Sequence, residues 1–287
     1  MSKKEMKSLF LHTRPGLYTY TLLGFLFGLF ITKVPFNTTI ILAFVSWLLL
    51  ASGATVFNSY YDKDKIPLPN LKNPPKPTKF LLHGSITLKI LGFLIAIIFT
   101  NLIFSSLYFL GTLASILYSH KKTRLKSSGI IALFTNCATG SATFFVAASL
   151  ENNLLATESI LGTLSAGFFL GSVYLMMQIH EVKDDKRRGD ISIAVKHGKV
   201  PALWLSILFL IISAILTIFA FKIILLNQYL IYLINLYFIS IIILLIYWIK
   251  SNHSNIHDYK IMSIITNSMS SLGSTILLIL YILQNLN

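Results

Sequence analysis

Residues 201–221 read PALWLSILFLIISAILTIFAF, a run without one charged side chain. A helix of that length extends about 30 Å, the hydrocarbon thickness of a bilayer. Similar apolar runs lie at 16–32, 38–58, 84–99, 102–118, 129–148, 160–180, 229–249 and 261–284. The pattern predicts an all-α, polytopic membrane protein with about nine transmembrane helices. Lipid offers nothing to solvate an open sheet edge, so helices are the form these spans must take. Composition agrees: 55% of the 287 residues are hydrophobic and 12% charged, with a mean hydropathy of +0.73. A soluble domain carries about twice that charged fraction, so soluble classes are excluded. A lone cysteine, Cys137, excludes an intramolecular disulfide. The first apolar run follows Lys3, Lys4, Lys7 and Arg14 in the manner of a signal peptide, but no small-residue cleavage site precedes the next run. We read it as a retained first helix. The chain is thus expected to be a single membrane-embedded domain over 1–287, with motif-bearing loops at 58–85 and 181–200.

Charge supplies the orientation. With the N-terminus inside, the inner segments hold four basic residues in 1–14, six from Lys63 to Lys89, four from Lys121 to Lys126, six from Lys183 to Lys199, and Lys250 and Lys260. Twenty-two of the 24 Lys and Arg fall inside, and Lys33 and Lys222 fall outside. Such a bias predicts a multi-pass cell-membrane protein with a cytoplasmic N-terminus. The net charge of +14 is accounted for by these loops, and no nucleic-acid partner is expected.

The acids need a different explanation, because acids direct topology little. Six of the ten lie in two inner segments. The first segment is Asn58-Ser59-Tyr60-Tyr61-Asp62-Lys63-Asp64, at the end of the second span. If the helix continues, Asn58 and Asp62 share a face. The second is Glu181-Val182-Lys183-Asp184-Asp185-Lys186-Arg187-Arg188-Gly189-Asp190, after the sixth span. There Glu181, Asp184 and Asp185 fall at i, i+3 and i+4. Three carboxylates on one helical face repel one another unless a cation or neighbouring bases neutralise them. Each segment alone is also what a solvated helix end looks like. Two at the same side of the membrane suggest a Mg²⁺-bearing clamp for a diphosphate, since Mg²⁺ binds through one or two carboxylates plus phosphate oxygens. The candidate metal ligands are Asn58, Asp62, Asp64, Glu181, Asp184 and Asp185. Arg14, Asn58, Lys121, Lys122, Arg124 and Lys126 could hold the same anion, and these bases also serve the topological signal.

These residues resemble the UbiA superfamily of intramembrane prenyltransferases, whose nine helices carry aspartate-rich motifs after helices two and six. Asn58, Asp62 and Asp64 match one form of the first motif, N-x-x-x-D-x-D. Ser59 stands where another form has its first acid, and Ile66 where it has its last. Glu181 and Asp185 match the second motif with one conservative change. Gly189, Ser192, Ile193, Ala194, Val195 and Gly198 then follow in register with the family's glycine-bounded tail. Arg14-Pro15 and the stretch from Tyr118-Ser119 to Leu125-Lys126 are weaker echoes. The resemblance implies a UbiA-type bundle that binds a polyprenyl diphosphate through Mg²⁺, with Asp62 and Asp185 as catalytic residues. Ionisation would release diphosphate and an allylic cation, which alkylates a hydrophobic acceptor. Tyr60, Tyr61, Tyr118 and Tyr174 could face that cation, or simply belong to an interfacial aromatic belt. The tail after Gly189 looks most like the quinone-making branches, so an aromatic acceptor such as a naphthoate or benzoate is expected.

Other readings stay open. A glycerol-phosphate lipid could be the acceptor instead. A transporter would place acids near mid-membrane and often carry an internal repeat, neither of which this sequence displays. A catalytically degenerate homologue would explain Ser59 and Ile66. His253, His257 and Asp258 are read as loop polarity, Asn136 and Thr135 as polar groups of span five that need partners, and Asn73–Pro77 as an extended inner loop. The topology is directly checkable in a background lacking Cys137. Cysteines at Lys33 and Asn153 should react with an impermeant reagent added outside intact cells, and cysteines at Lys72, Ser127 or Lys196 should not. External labelling at Lys196 would overturn the nine-span arrangement.

Overall fold

The computed structural model describes residues 2–63, 71, 73–151, 154–224, 228–251 and 255–286. Asp64, Ile66 and His253, singled out above, lie outside them. The described chain is a helical bundle: α1 (Lys3–His12), α2 (Tyr18–Ile31), α3 (Thr38–Asp62), α4 (Lys79–Phe99), α5 (Leu102–Ser119), α6 (Gly129–Ala148), α7 (Thr157–Arg188), the short α8 (Ile193–His197), α9 (Lys199–Ile223), α10 (Gln228–Lys250) and α11 (Asn255–Leu286). Eight of these, α3 to α7 and α9 to α11, are long and apolar enough to cross a membrane. The ninth expected span is shorter than its apolar run. Arg14 takes a left-handed backbone, Pro15 opens a 3-10 turn, and regular helix begins only at Tyr18. The 14 residues of α2 extend about 21 Å. They lie inside the bundle, with Phe25–Ile31 buried and α6 and α11 alongside.

Small residues let the helices approach one another, as they must where lipid gives no hydrophobic drive between spans. A side chain at Gly140 would overlap the Ala166 carbonyl oxygen where α6 crosses α7, and one at Gly28 would overlap the Phe144 carbonyl oxygen where α2 crosses α6. α7 packs most extensively on α9 and α6, and α3 on α4. Ile98, Leu102, Phe134 and Leu236 point outward, the apolar surface a bilayer requires. The tight α4–α5 junction expected near Thr100 and Asn101 is present. Thr100 ends α4, and the Asn101 side chain caps α5 by accepting from Phe104 N.

Two features exceed the sequence reading. α1 is an additional helix, closed by a capping box between Ser2 and Glu5. It packs on α3 and α4, and His12 Nε2 donates to Pro75 O at 3.0 Å, joining it to the extended 73–78 segment. α7 runs about two turns beyond its expected end at residue 180 and carries the second acid segment as continuous helix. Arg187 and Arg188 pair with Asp184 and Asp185 one turn back, at 3.0 and 2.6 Å, and Gly189 stops the helix with φ +78°.

Candidate active site

α3 continues through Asp62, so Asn58 and Asp62 do share a face, and Lys63 closes the helix in the left-handed region. Lys126, from the α5–α6 loop, reaches both. Its ammonium donates to Asn58 Oδ1 at 2.6 Å and forms a short ion pair with Asp62. Ser119 Oγ also donates to Asn58 Oδ1, at 2.9 Å. Arg14 lies beneath the same segment, with Nη2 donating to Ser59 Oγ at 3.2 Å.

The α5–α6 loop is tied in turn to the second acid segment. Ile191 N donates to Ser127 O and Gly129 N to Ile191 O, each at 2.8 Å, a single parallel bridge between two loops. Beside it Arg124 forms a two-pronged pair with Asp190, Nε to Oδ1 at 2.9 Å and Nη2 to Oδ2 at 2.8 Å. Such bidentate geometry fixes orientation as well as charge. Arg124 Nη2 is also 3.6 Å from Asp62 Oδ1, and Arg188 Nε donates to Asp190 at 3.1 Å. One guanidinium therefore joins the two acid segments through Asp62 and Asp190, 128 positions apart in the sequence. Arg14, Lys63 and Arg124 all hold positive φ without being glycine. Strained backbone of this kind persists where surrounding contacts over-determine it, and it clusters at functional sites.

Asp190 is buried, which pushes its carboxyl pKa up, but Arg124 and Arg188 outweigh burial and hold it below its ordinary value. Arg124, held by Asp190, is shifted up in return. A carboxyl so depressed stabilises the loop tie at every pH above its ordinary range. That contribution is lost only as the pH falls through the depressed value.

From this end a cavity of about 620 Å³ runs into the bundle. Arg14, Asn58, Ser119 and Glu181 line its mouth, and Tyr118, Asn136, Tyr174 and Gln178 line the wall next to it. Asn136 Nδ2 donates to Tyr118 OH at 3.2 Å, and Gln178 Oε1 accepts from Ala194 N. Beyond them the lining turns largely apolar, through Leu50, Phe169 and Ile234 to Phe27, Phe221 and Leu280. The structure thus brings Arg14, Asn58 and Glu181 to the cavity and packs Asp62, Lys126 and Arg124 behind its mouth. Asp184 and Asp185 are buried, and Lys121 and Lys122 are exposed away from the lining. Tyr118 and Tyr174 face the cavity. Tyr60 and Tyr61 do not: Tyr61 packs instead at a steep angle against the rings of Phe57 and His120. Asp258 is a structural group, accepting from Lys199 Nζ at 2.7 Å and Trp248 Nε1 at 2.8 Å. Gln178, the bond from Ser119 to Asn58 and the pairing of Asp190 with Arg124 and Arg188 were not picked out from sequence. Gln178 did carry a signal, an amide within a span one turn before Glu181.

Among the described residues no three His, Cys, Asp or Glu side chains stand together as a ready cation cage, because most of the acids are turned toward Arg and Lys. The donor chemistry nevertheless suits Mg²⁺ on the α7 side. Asp184 Oδ2 is buried without a hydrogen-bond partner among the described residues, and Glu181 faces the cavity.

These features define a polytopic helical membrane protein with a charged pocket mouth and an apolar interior. The model of the UbiA prenyltransferase family matches residues 21–268, and the chain belongs to that family. No curated protein matches it significantly. Solved structures of the same fold include a digeranylgeranylglyceryl phosphate synthase (TM-score 0.66, 18% identity, 95% of this chain and 98% of that chain covered). A UbiA homologue from Archaeoglobus fulgidus bound to GPP and Mg²⁺ is equally similar (0.66, 18%, 94% and 99%). The apo homologue from Aeropyrum pernix K1 follows (0.62, 16%, 90% and 97%).

The loop tie yields a prediction. Arg124→Ala leaves Asp190 and Asp62 short of a counter-charge. Asp190 keeps Arg188 and Asp62 keeps Lys126, so the cost falls below the roughly 3–5 kcal/mol of an uncompensated buried charge, and the purified protein should still melt at lower temperature. Hydrogen exchange should rise at Ser127, Gly129 and Ile191. Unchanged protection of those amides would show that Arg124 does not hold the loops together.

Proposed function

We propose that this protein transfers a prenyl group from a polyprenyl diphosphate to a hydrophobic acceptor. The carrying observation is the cavity: among membrane-spanning helices, within the size range of small-molecule sites, apolar over most of its length, and opening beside a dense cluster of acids and bases. Its division suits a lipid diphosphate, with the tail between the helices and the head at the mouth. Glu181, Asp184 and Asp185 would hold Mg²⁺. When bound, Mg²⁺ neutralises charge that develops on the departing diphosphate. Arg14 meets the same anion from the opposite side of the mouth. Asp185 and Asp62 orient the surrounding bases, through Arg188 and Lys126 respectively. The apolar wall would exclude water that would otherwise quench an allylic cation, and Tyr118 and Tyr174 line the cavity where aromatic rings would stabilise such a cation.

Support for an aromatic acceptor comes from the tail after Gly189 and from the Tyr118–Asn136 and Gln178 groups, which could bond a ring hydroxyl or carboxylate. A glycerol-phosphate acceptor remains the rival, because a digeranylgeranylglyceryl phosphate synthase shares the fold. The positive-inside bias supports a cytoplasmic N-terminus and cytoplasmic acid segments. A transporter reading loses its footing once the chain is placed in this family.

The test is incubation of purified protein with labelled polyprenyl diphosphates and a panel of naphthoate, benzoate and glycerol-phosphate acceptors, with and without Mg²⁺. Product should form only with Mg²⁺, and the acceptor arm that reacts identifies the branch. Asp185→Asn should reduce turnover at least a hundredfold, about 3 kcal/mol of transition-state stabilisation. A folded Asp185→Asn protein with near-normal turnover would remove Asp185 from the site. No product in any arm would favour a degenerate homologue.

A further inference from the structure

The two acid segments differ in what neutralises them. In the second segment Glu181, Asp184, Asp185 and Asp190 stand with four bases, Lys183, Lys186, Arg187 and Arg188; Arg187 pairs with Asp184, Arg188 with Asp185 and Asp190, and Arg124 is shared between Asp190 and Asp62. On α3 the described carboxylate is outnumbered by the bases around it. Asp62 is the one carboxylate among the described residues of its segment, and Lys126 and Arg124 both face it. Arg14 sits below, buried, hydrogen-bonded to the neutral Ser59 hydroxyl and with its Nε bonded to nothing among the described residues. Ser59 matters here, because a carboxylate at that position would have met Arg14.

Lys126 is more than a neighbour of this pair. Its ammonium lies between Asn58 Oδ1 and Asp62 Oδ2, the two oxygens that a metal at this segment would use first. Both charged side chains are nearly closed to solvent, Asp62 at 5% and Lys126 at 9% exposure. Asn58 Oδ1 already accepts from Ser119 as well. The remaining oxygen, Asp62 Oδ1, accepts no hydrogen bond among the described residues and lies 3.6 Å from Arg124 Nη2, an ion-pair contact that places a second positive charge beside it. Mg²⁺ requires oxygens at about 2.0–2.1 Å in near-octahedral array. It cannot share this gap with an ammonium, whose charge would repel it at contact range.

We propose that Lys126 is the resident cation of the Asn58–Asp62 pair, standing where a divalent ion would otherwise bind, so that the divalent ion of this protein is held on the α7 side alone. The proposal rests on the transferase reading and sharpens it. The site is asymmetric, with a metal face on α7 and, on the α3 side, Arg14 at the mouth and the Asn58–Asp62 pair neutralised by Lys126 and Arg124 behind it. Asn58 and Asp62 then serve as positioning residues for Lys126.

Counting bound Mn²⁺ tests this without turnover. Purified protein is titrated with Mn²⁺ in the presence of inorganic pyrophosphate, and free Mn²⁺ is read by electron paramagnetic resonance. Wild type should bind Mn²⁺ with a stoichiometry that Asp62→Asn leaves unchanged. Asp184→Asn or Asp185→Asn should weaken that binding at least tenfold. Lys126→Met, which keeps the length of the side chain and removes its charge, should gain one additional ion per chain, and adding Asp62→Asn to it should abolish the gain. An ion in wild type that Asp62→Asn removes would overturn the proposal, and this arm decides even if Lys126→Met fails to fold. A folded Lys126→Met protein that gains no ion would overturn it as well. Failure to bind Mn²⁺ in any variant would instead strike at the transferase reading itself.

Discussion

One guanidinium organises the charged end of this protein. Arg124 comes from a loop held in a left-handed backbone conformation, grips Asp190 with two hydrogen bonds, and reaches Asp62 from the same nitrogen. Without it, two carboxylates brought close by the bundle would lie buried with less to balance them, which is more costly than leaving acids in water. Asp190 draws α7 toward the α5–α6 loop. The same loop presents Lys126 to Asn58 and Asp62 on α3. Three separate helix ends thereby become one surface around the cavity mouth.

The rest of the bundle makes room for that mouth to lead somewhere. Glycines at the α2–α6 and α6–α7 crossings bring backbones into contact, which anchors the cavity wall on two sides. α2 is pulled into the interior, and its Phe27 lines the end of the cavity far from the charges. Hydroxyl groups that would be costly in a dry interior are satisfied among themselves, as in the Ser165–Ser213–Thr217 cluster between α7 and α9. The lining is thus largely apolar where a lipid tail would lie, apart from mutually bonded hydroxyls such as Ser165 and Thr217, and more polar next to the head-group end.

Much of this arrangement was legible from sequence because bilayers simplify the grammar of a chain. Length and apolarity gave the spans of α3 to α7 and α9 to α11, and the i, i+3, i+4 spacing put Glu181, Asp184 and Asp185 on one stretch of helix. Local chemistry that competes with the apolar signal was harder to read. Arg14-Pro15 shortens the first span, and the arginine pairs of the last α7 turns prolong the sixth past its apolar run. The partners of the acids were least legible. Nothing local joins Arg124 to Asp190 or Lys126 to Asp62, since these contacts depend on how two loops meet. Lys121 and Lys122 share the composition of their neighbours, yet they face solvent because the loop turns at Arg124.

The central claim is that a prenyl chain lies in this cavity with its diphosphate at the charged mouth. A geranylgeranyl diphosphate bearing a photoreactive diazirine at the tail end tests it most directly, with the labelled residues identified by mass spectrometry. The account predicts labelling of residues at the far end of the cavity, such as Phe221, Ile276 or Leu280, and loss of that labelling when excess inorganic pyrophosphate competes for the mouth. Labelling confined to outward residues such as Ile98 or Phe134, or labelling indifferent to pyrophosphate, would contradict it.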